Sequence, residues 1–289
     1  MSGSVPPVPI VSSIAPLADT TDAWLVDVWG VMHNGVQPFM SSCDTCVAFR
    51  QSGGVIVLLT NAPRPAAAVV AQLDAIGVPR KAYDSVVTSG DVTRGQVEAW
   101  QDKRIFHLGP ERDRGIFAGF EIQFAAAEDA ECIVCTGLFD DEAEDPDDYN
   151  DLLTGFRLRD LTMLCANPDI QVERGDRIVY CAGALAKKFE DDGGKVLYSG
   201  KPHPPIYGVA RDCVDKLIGK SVALERILAI GDGVRTDIAG ASAVGLRSVF
   251  VASGIHIPRG EEFGSGHLEA LFGDLASSRP VAAMERLHW

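Results

Sequence analysis

The chain has 289 residues, 46% of them hydrophobic and 23% charged, with 29 Gly and 16 Pro. That length can bury a full core and suggests two domains, and the composition excludes collagen-like and low-complexity architectures. Asp and Glu outnumber Lys and Arg by 40 to 26, a formal net charge of −14, which argues against nucleic acid or an anionic membrane as partner because both require a basic face. A small phosphorylated metabolite stays open, provided that local cations or a metal offset the general repulsion.

The opening stretch MSGSVPPVPIVSSIAPLA holds no Lys or Arg and several prolines, unlike a secretory signal, and no apolar run reaches the ~18 residues of a membrane span. A cytoplasmic protein with a short irregular N-terminal arm is expected. Short β-rich apolar runs then alternate with amphipathic stretches. Strands are expected at AWLVDVW, VIVLLTN and SVVTSG, then at KRIFHLG, ECIVCTG, TMLCANP and KVLYSGKP, and finally at RILAIGD and SVFVASG. Helices are expected over Ser41–Gln51, Pro65–Ile76, Val92–Asp102, Pro205–Leu217 and Asp237–Val244, each with apolar residues three and four apart. This alternation points to an α/β protein with a parallel sheet covered by helices.

The acidic block DDEAEDPDDYND, Asp140–Asp151, reads as a solvated loop leading into a helix. It lies within residues 103–193, which carry their own strands and read as a second α/β domain inserted into a first one made of residues 1–102 and 194–289. The seven cysteines are an odd number, with no sign of secretion, and read as reduced thiols. Cys43/Cys46 and Cys132/Cys135 have C-x-x-C spacing. The second pair falls on an expected strand, where residues three apart face opposite ways and cannot chelate together, so small buried hydrophobes are expected.

Four apolar runs end in polar residues before a turn: Asp27, Thr60 with Asn61, Lys201, and Asp232. In open parallel sheets ligands bind at the carboxyl ends of strands, so these side chains can converge on one crevice. Asp27 and Asp232 make a hard-oxygen site for Mg²⁺, a cation that also binds substrate phosphate. Lys201, Thr60 and Asn61 then supply the cation and hydrogen bonds for phosphoryl oxygens, and Asp27 is placed to attack phosphorus and form an aspartyl-phosphate.

These residues resemble the haloacid dehalogenase-like hydrolases. Asp27-Val28-Trp29-Gly30-Val31 is similar to the first motif, Thr60-Asn61 to the second, Lys201-Pro202 to the third, and Gly231-Asp232-Gly233 through Asp237 to the fourth. The α/β segment between the second and third motifs resembles the cap of the class IIA branch, which contains nucleotide and sugar phosphatases and 4-nitrophenylphosphatases. The stretches ANPD, Ala166–Asp169, and SGKPHPPIY, Ser199–Tyr207, have counterparts in that branch. The resemblance implies a Rossmann-like parallel-sheet core with an inserted α/β cap domain and a mobile flap after the first strand. It also implies Asp27 as nucleophile and a Mg²⁺ site of Asp27, Asp232 and the Trp29 backbone carbonyl. Asp237 would act through water or by orienting Asp232. Asn167 and Asp169 become candidates for substrate choice, with an Asn-Pro-Asp turn as the alternative. The cap also offers a homodimer surface in that branch.

One position departs from the pattern. Phosphatases of the family carry a second Asp two residues after the nucleophile, as acid for the leaving group and then base for water, and Trp29 stands there. An indole transfers no proton at neutral pH, and such help is worth roughly 10²–10⁴-fold. His33 and His203 are candidate substitutes, with exposed loop histidines as the alternative. The first reading is a Mg²⁺-dependent phosphohydrolase of small phosphate monoesters. The second is a phosphate-ligand binding protein that has lost turnover, and the third is a dehalogenase.

Overall fold

The computed structural model describes residues 7–174, 177–252, 263–273 and 278–289. The chain opens with strands β1 (Ala23–Asp27), β2 (Val55–Thr60) and β3 (Ser85–Thr88). The middle carries β4 (Arg104–Leu108), β5 (Gln123–Phe124), β6 (Cys132–Cys135), β7 (Thr162–Cys165), β8 (Gln171–Arg174), β9 (Arg177–Tyr180) and β10 (Lys195–Tyr198). It closes with β11 (Ile227–Gly231), β12 (Arg247–Val251) and β13 (Ala282–Met284). The chain forms two compact units, one of residues up to Leu59, Ala71–Val87 and Tyr207 onward, the other of Thr60–Val70 and Thr88–Ile206. Residues 103–193 lie within the second.

In the first unit the sheet order is β13-β12-β11-β1-β2-β3. β1 pairs in parallel with β11 on one side and β2 on the other, and β12 and β13 continue in parallel. All five residues of β1 and of β11 are buried, which is why both read as unbroken apolar runs rather than alternating ones. The helix Met40–Gln51 docks through Phe49, whose ring stacks on Trp24 at 3.8 Å. Since the chain runs outward from β1 in both directions, the β1/β11 junction is the topological switch point, where open α/β sheets bind ligands.

The second unit has its own sheet, β10-β7-β6-β4-β5, with every pairing parallel, and a separate antiparallel hairpin of β8 and β9. Separate apolar clusters cover its two faces. Ile133 and Cys135 pack with Phe156, Leu185 and Phe189, while Cys132 and Val134 pack with Trp100, Ile116 and Phe117. Cys132 and Cys135 therefore face opposite layers, and among the described residues all seven cysteines are free thiols, six of them buried.

Each expected strand is present, and the architecture is the expected α/β class with parallel sheets. The β8/β9 hairpin escapes a periodicity reading because Arg177, Ile178 and Tyr180 are all exposed, leaving no apolar alternation. The expected helix over Asp237–Val244 is instead one turn of π-helix, Val234–Ile238, running into a short α-helix, Ala239–Ala243. The acidic block does lead into a helix, Asn150–Leu158, entered through a capping box in which Asp145 and Asp148 satisfy each other's backbone. Among the described residues no helix is long and apolar enough to cross a membrane.

Candidate active site

Val26 is in register with Ile230, so Asp27 ends β1 beside Gly231 and Asp232 follows at once. Asp27, Asp232 and Asp237 are buried, and each offers a carboxylate oxygen within 4.8 Å of the others. Three carboxylates this close repel one another unless a cation lies among them, and the donors are all hard oxygens, the set that suits a divalent ion such as Mg²⁺ or Ca²⁺. The backbone is shaped around them. Gly30 has φ of +80°, and a Cβ there would lie 2.0 Å from Oδ2 of Asp232. Asp237 projects from the π-turn, a distortion frequent at functional sites, and its Oδ2 accepts the Gly233 N–H at 3.0 Å, which fixes the loop just past Asp232.

The loop after β1 folds back on itself, with Met32 N–H donating to Val28 O and Gly30 N–H to His33 O, both at 2.9 Å. The Trp29 indole meets the His33 ring edge-on at 5.1 Å, and a Cβ at Gly35 would come within 2.8 Å of it. His33 is buried, its Nδ1 accepts the Gly35 N–H at 2.8 Å, and burial pushes its pKa down to about 4. Its ring is thus neutral at pH 7 and tied into its own loop, not the exposed loop histidine weighed as the alternative.

In the second unit Asn61 is a clip. Its Oδ1 accepts the Lys201 N–H at 2.7 Å, and its Nδ2 donates to Lys201 O at 3.1 Å and to Asp169 Oδ1 at 2.9 Å. Lys201 is buried, as are Thr60 and Asn167. Thr60 Oγ1 accepts the Ala62 N–H at 3.2 Å. Asn167 Oδ1 accepts the Asp169 N–H at 3.0 Å, the side-chain turn that Asn-Pro-Asp favours. His203 stacks flat on Tyr198 at 4.4 Å, and burial lowers its pKa.

Residues 24–123 match the haloacid dehalogenase-like hydrolase family, and residues 198–275 match a HAD-hydrolase-like family. A haloacid dehalogenase-like hydrolase from Brucella suis 1330 is 47% identical, with 85% of this chain and 94% of that one covered and a TM-score of 0.83. The chain belongs to the haloacid dehalogenase-like hydrolase family. The fold of this hydrolase is shared with 4-nitrophenylphosphatase from Thermotoga maritima, at 22% identity, 93% and 96% coverage and a TM-score of 0.68. It is shared too with glycerol phosphate phosphatase from Mycobacterium tuberculosis in complex with calcium, at 23% identity, 81% and 67% coverage and a TM-score of 0.62. No curated protein matches the sequence.

One feature of this hydrolase lies beyond sequence reasoning. Asp141, inside the acidic block read as solvated, has a nearly buried carboxylate paired with Arg112 and Arg174. No local pattern marks it, because its partners come from distant parts of the chain.

Proposed function

We propose that this protein is a cytoplasmic, Mg²⁺-dependent phosphohydrolase of small phosphorylated metabolites, acting through an aspartyl-phosphate on Asp27. The observation that carries the reading is the buried triad of Asp27, Asp232 and Asp237 at the switch point of a parallel sheet, in a chain 47% identical to a haloacid dehalogenase-like hydrolase. The phosphatase names of the M. tuberculosis and T. maritima proteins, which share the fold, support the reaction class, and the calcium complex supports a divalent cation.

In this mechanism a carboxylate oxygen of Asp27 attacks phosphorus, the bond to the ester oxygen breaks, and the leaving group departs as its oxyanion, which takes a proton from water. Water then cleaves the acyl phosphate, releasing phosphate and restoring Asp27. The cation would be held by Asp27, Asp232 and the Trp29 carbonyl, with Asp237 bracing the loop, and would neutralise the phosphoryl oxygens. Lys201 and Thr60 bind those oxygens. The hydrogen bonds of Asn61 make it the residue that positions Lys201. Residues 103–193 act as the cap that sets substrate choice, through Asn167, Asp169 and their surroundings.

A panel of phosphate esters assayed with Mg²⁺ and with EDTA tests the reading. Activity should vanish with chelator and return with Mg²⁺, and full activity in EDTA would remove it. The indole at Trp29 favours a second reading, a phosphate-binding protein without turnover. Tight Mg²⁺-dependent binding of phosphate with no hydrolysis of any ester would establish that one.

A further inference from the structure

A backbone carbonyl can serve a cation only if its peptide is held at one orientation. The Trp29 C=O and the Gly30 N–H are the two ends of one planar peptide, and in a trans peptide, as this one is, they point in opposite directions. The N–H end is fixed, because it donates to His33 O at 2.9 Å. The C=O end is therefore turned away from His33. Gly30 itself lies against the carboxylates, since a Cβ there would fall 2.0 Å from Oδ2 of Asp232. All of these residues belong to the first unit.

His33 can fix that peptide because it is itself held from several sides. Its N–H donates to Val28 O at 3.3 Å, and its backbone bridges to Trp29 and to Pro38. Its ring Nδ1 accepts the Gly35 N–H at 2.8 Å. A backbone N–H can only donate, so Nδ1 carries no proton and the ring proton lies on Nε2. Gly35, with φ of +87°, presses on the indole of Trp29, which the imidazole meets edge-on. The contacts close a circuit: from the imidazole to Gly35, from Gly35 to the Trp29 indole, and through the Trp29 backbone to Gly30 and back to His33 O. At 1% exposure His33 stands behind the loop. Asn34 Oδ1 closes the tip of the same loop separately, accepting from the N–H groups of Val36 and Gln37. Losing the imidazole contact therefore loosens the inner turn and leaves the tip closed.

We propose that His33 is a positioning residue for the cation site: through Nδ1 and Gly35 its imidazole holds the carbonyl of residue 33 against Gly30, and so keeps the Trp29 carbonyl in one orientation for the cation. Groups that orient the ligands of a metal in this way set its affinity without touching it. This inference rests on the phosphohydrolase reading, which gives the Trp29 carbonyl to Mg²⁺, and it assigns His33 a role other than the acid or base expected of it.

Calorimetric titration of the full chain with Mg²⁺ alone reads the site without turnover. His33→Asn keeps an acceptor as many bonds from the backbone as Nδ1, whereas His33→Gln moves it one bond outward. His33→Gln should weaken Mg²⁺ binding roughly 10- to 100-fold, and His33→Asn should bind nearly as the wild type does. Gly35→Ala, which disturbs the same contact from its other end, should weaken binding as well. Wild-type affinity in His33→Gln, even with a lowered Tm, would make His33 a structural staple and overturn the proposal. Equal loss in His33→Gln and His33→Asn would overturn it too, because ring volume rather than the Nδ1 acceptor would then be what counts. Should His33→Gln not fold, Gly35→Ala decides: unchanged affinity there overturns the proposal, and weakened affinity supports it. A wild type that binds no Mg²⁺ would remove the metal-dependent reading and this inference with it, whereas binding by the wild type that none of the variants alters would sink the inference alone.

Discussion

An ester whose leaving group is already a stable anion needs no general acid, whereas an alkyl phosphate does. With Trp29 two residues after Asp27, aryl phosphates should turn over far better than alkyl phosphates, and the aspartyl-phosphate should persist, giving a burst of product and then slow turnover. Trp29→Asp should raise alkyl-phosphate turnover by up to roughly 10²-fold. Fast alkyl-phosphate hydrolysis by the wild type without a burst would place the proton on another group. Asp27→Asn, which keeps the shape and removes the attacking charge, should drop turnover to background with the far-UV circular dichroism spectrum intact; near wild-type turnover would make Asp27 structural. Asp113 carries a pH signature of its own. It ionises near 3.8 when free and near 6 when folded, chiefly because of burial, against the opposing fields of Arg64, Arg112 and Arg174 and the assisting field of Asp141. The folded state holds the proton more tightly, so stability from this group is complete below pH 3.8 and is lost as pH rises through 6. Asp113→Asn should therefore gain stability relative to wild type between pH 4 and pH 6 and plateau above, by about 3 kcal/mol at most. Urea midpoints at several pH values measure it.

Among the elements, the loop between β10 and the helix Pro204–Ile218 depends on one side chain from the end of β2. Asn61 satisfies both the N–H and the C=O of Lys201 and holds Asp169. Removing it leaves buried partners unpaired, so Asn61→Ala should cost about 2–4 kcal/mol in denaturant unfolding and raise KM more than it lowers kcat. An unchanged KM would mean that the clip does not set the Lys201 position. The same scale shows what periodicity misses. β1, β2, β6 and β11 are legible because strands buried on both faces read as continuous apolar runs. β5 and the β8/β9 hairpin carry no such run, since Gln123 and Phe124 are both exposed, as are Arg177, Ile178 and Tyr180 of the hairpin.

For the whole molecule, the six-stranded sheet is built from strands within residues 23–88 and 227–284, with none from residues 103–193. Replacing 103–193 with a short Gly-rich linker should leave that sheet cooperatively folded while substrate discrimination is blunted. Loss of a cooperative thermal transition would show that the first unit cannot stand without the segment. Mg²⁺ should raise the Tm of the intact protein by binding the folded carboxylate triad, and Asp232→Asn should blunt the rise.

The sequence by itself determined the α/β class, nearly every parallel strand, the polar strand ends at Asp27, Thr60, Lys201 and Asp232, and the absence of an acid at Trp29, because each is written in neighbouring residues. Tertiary structure alone decided that Asp237 closes on Asp232, that His33 is a buried acceptor within its own loop, and that Asn61 binds the Lys201 backbone 140 residues away. It also turned Asp141 from one acid among many into the anchor of two arginines. The physical reason is common to all four. Burial, pKa and hydrogen-bond partnership belong to groups that meet in space: distant stretches of chain for Asn61 and Asp141, and the close turn of a loop or a π-helix, which no residue spacing announces, for His33 and Asp237.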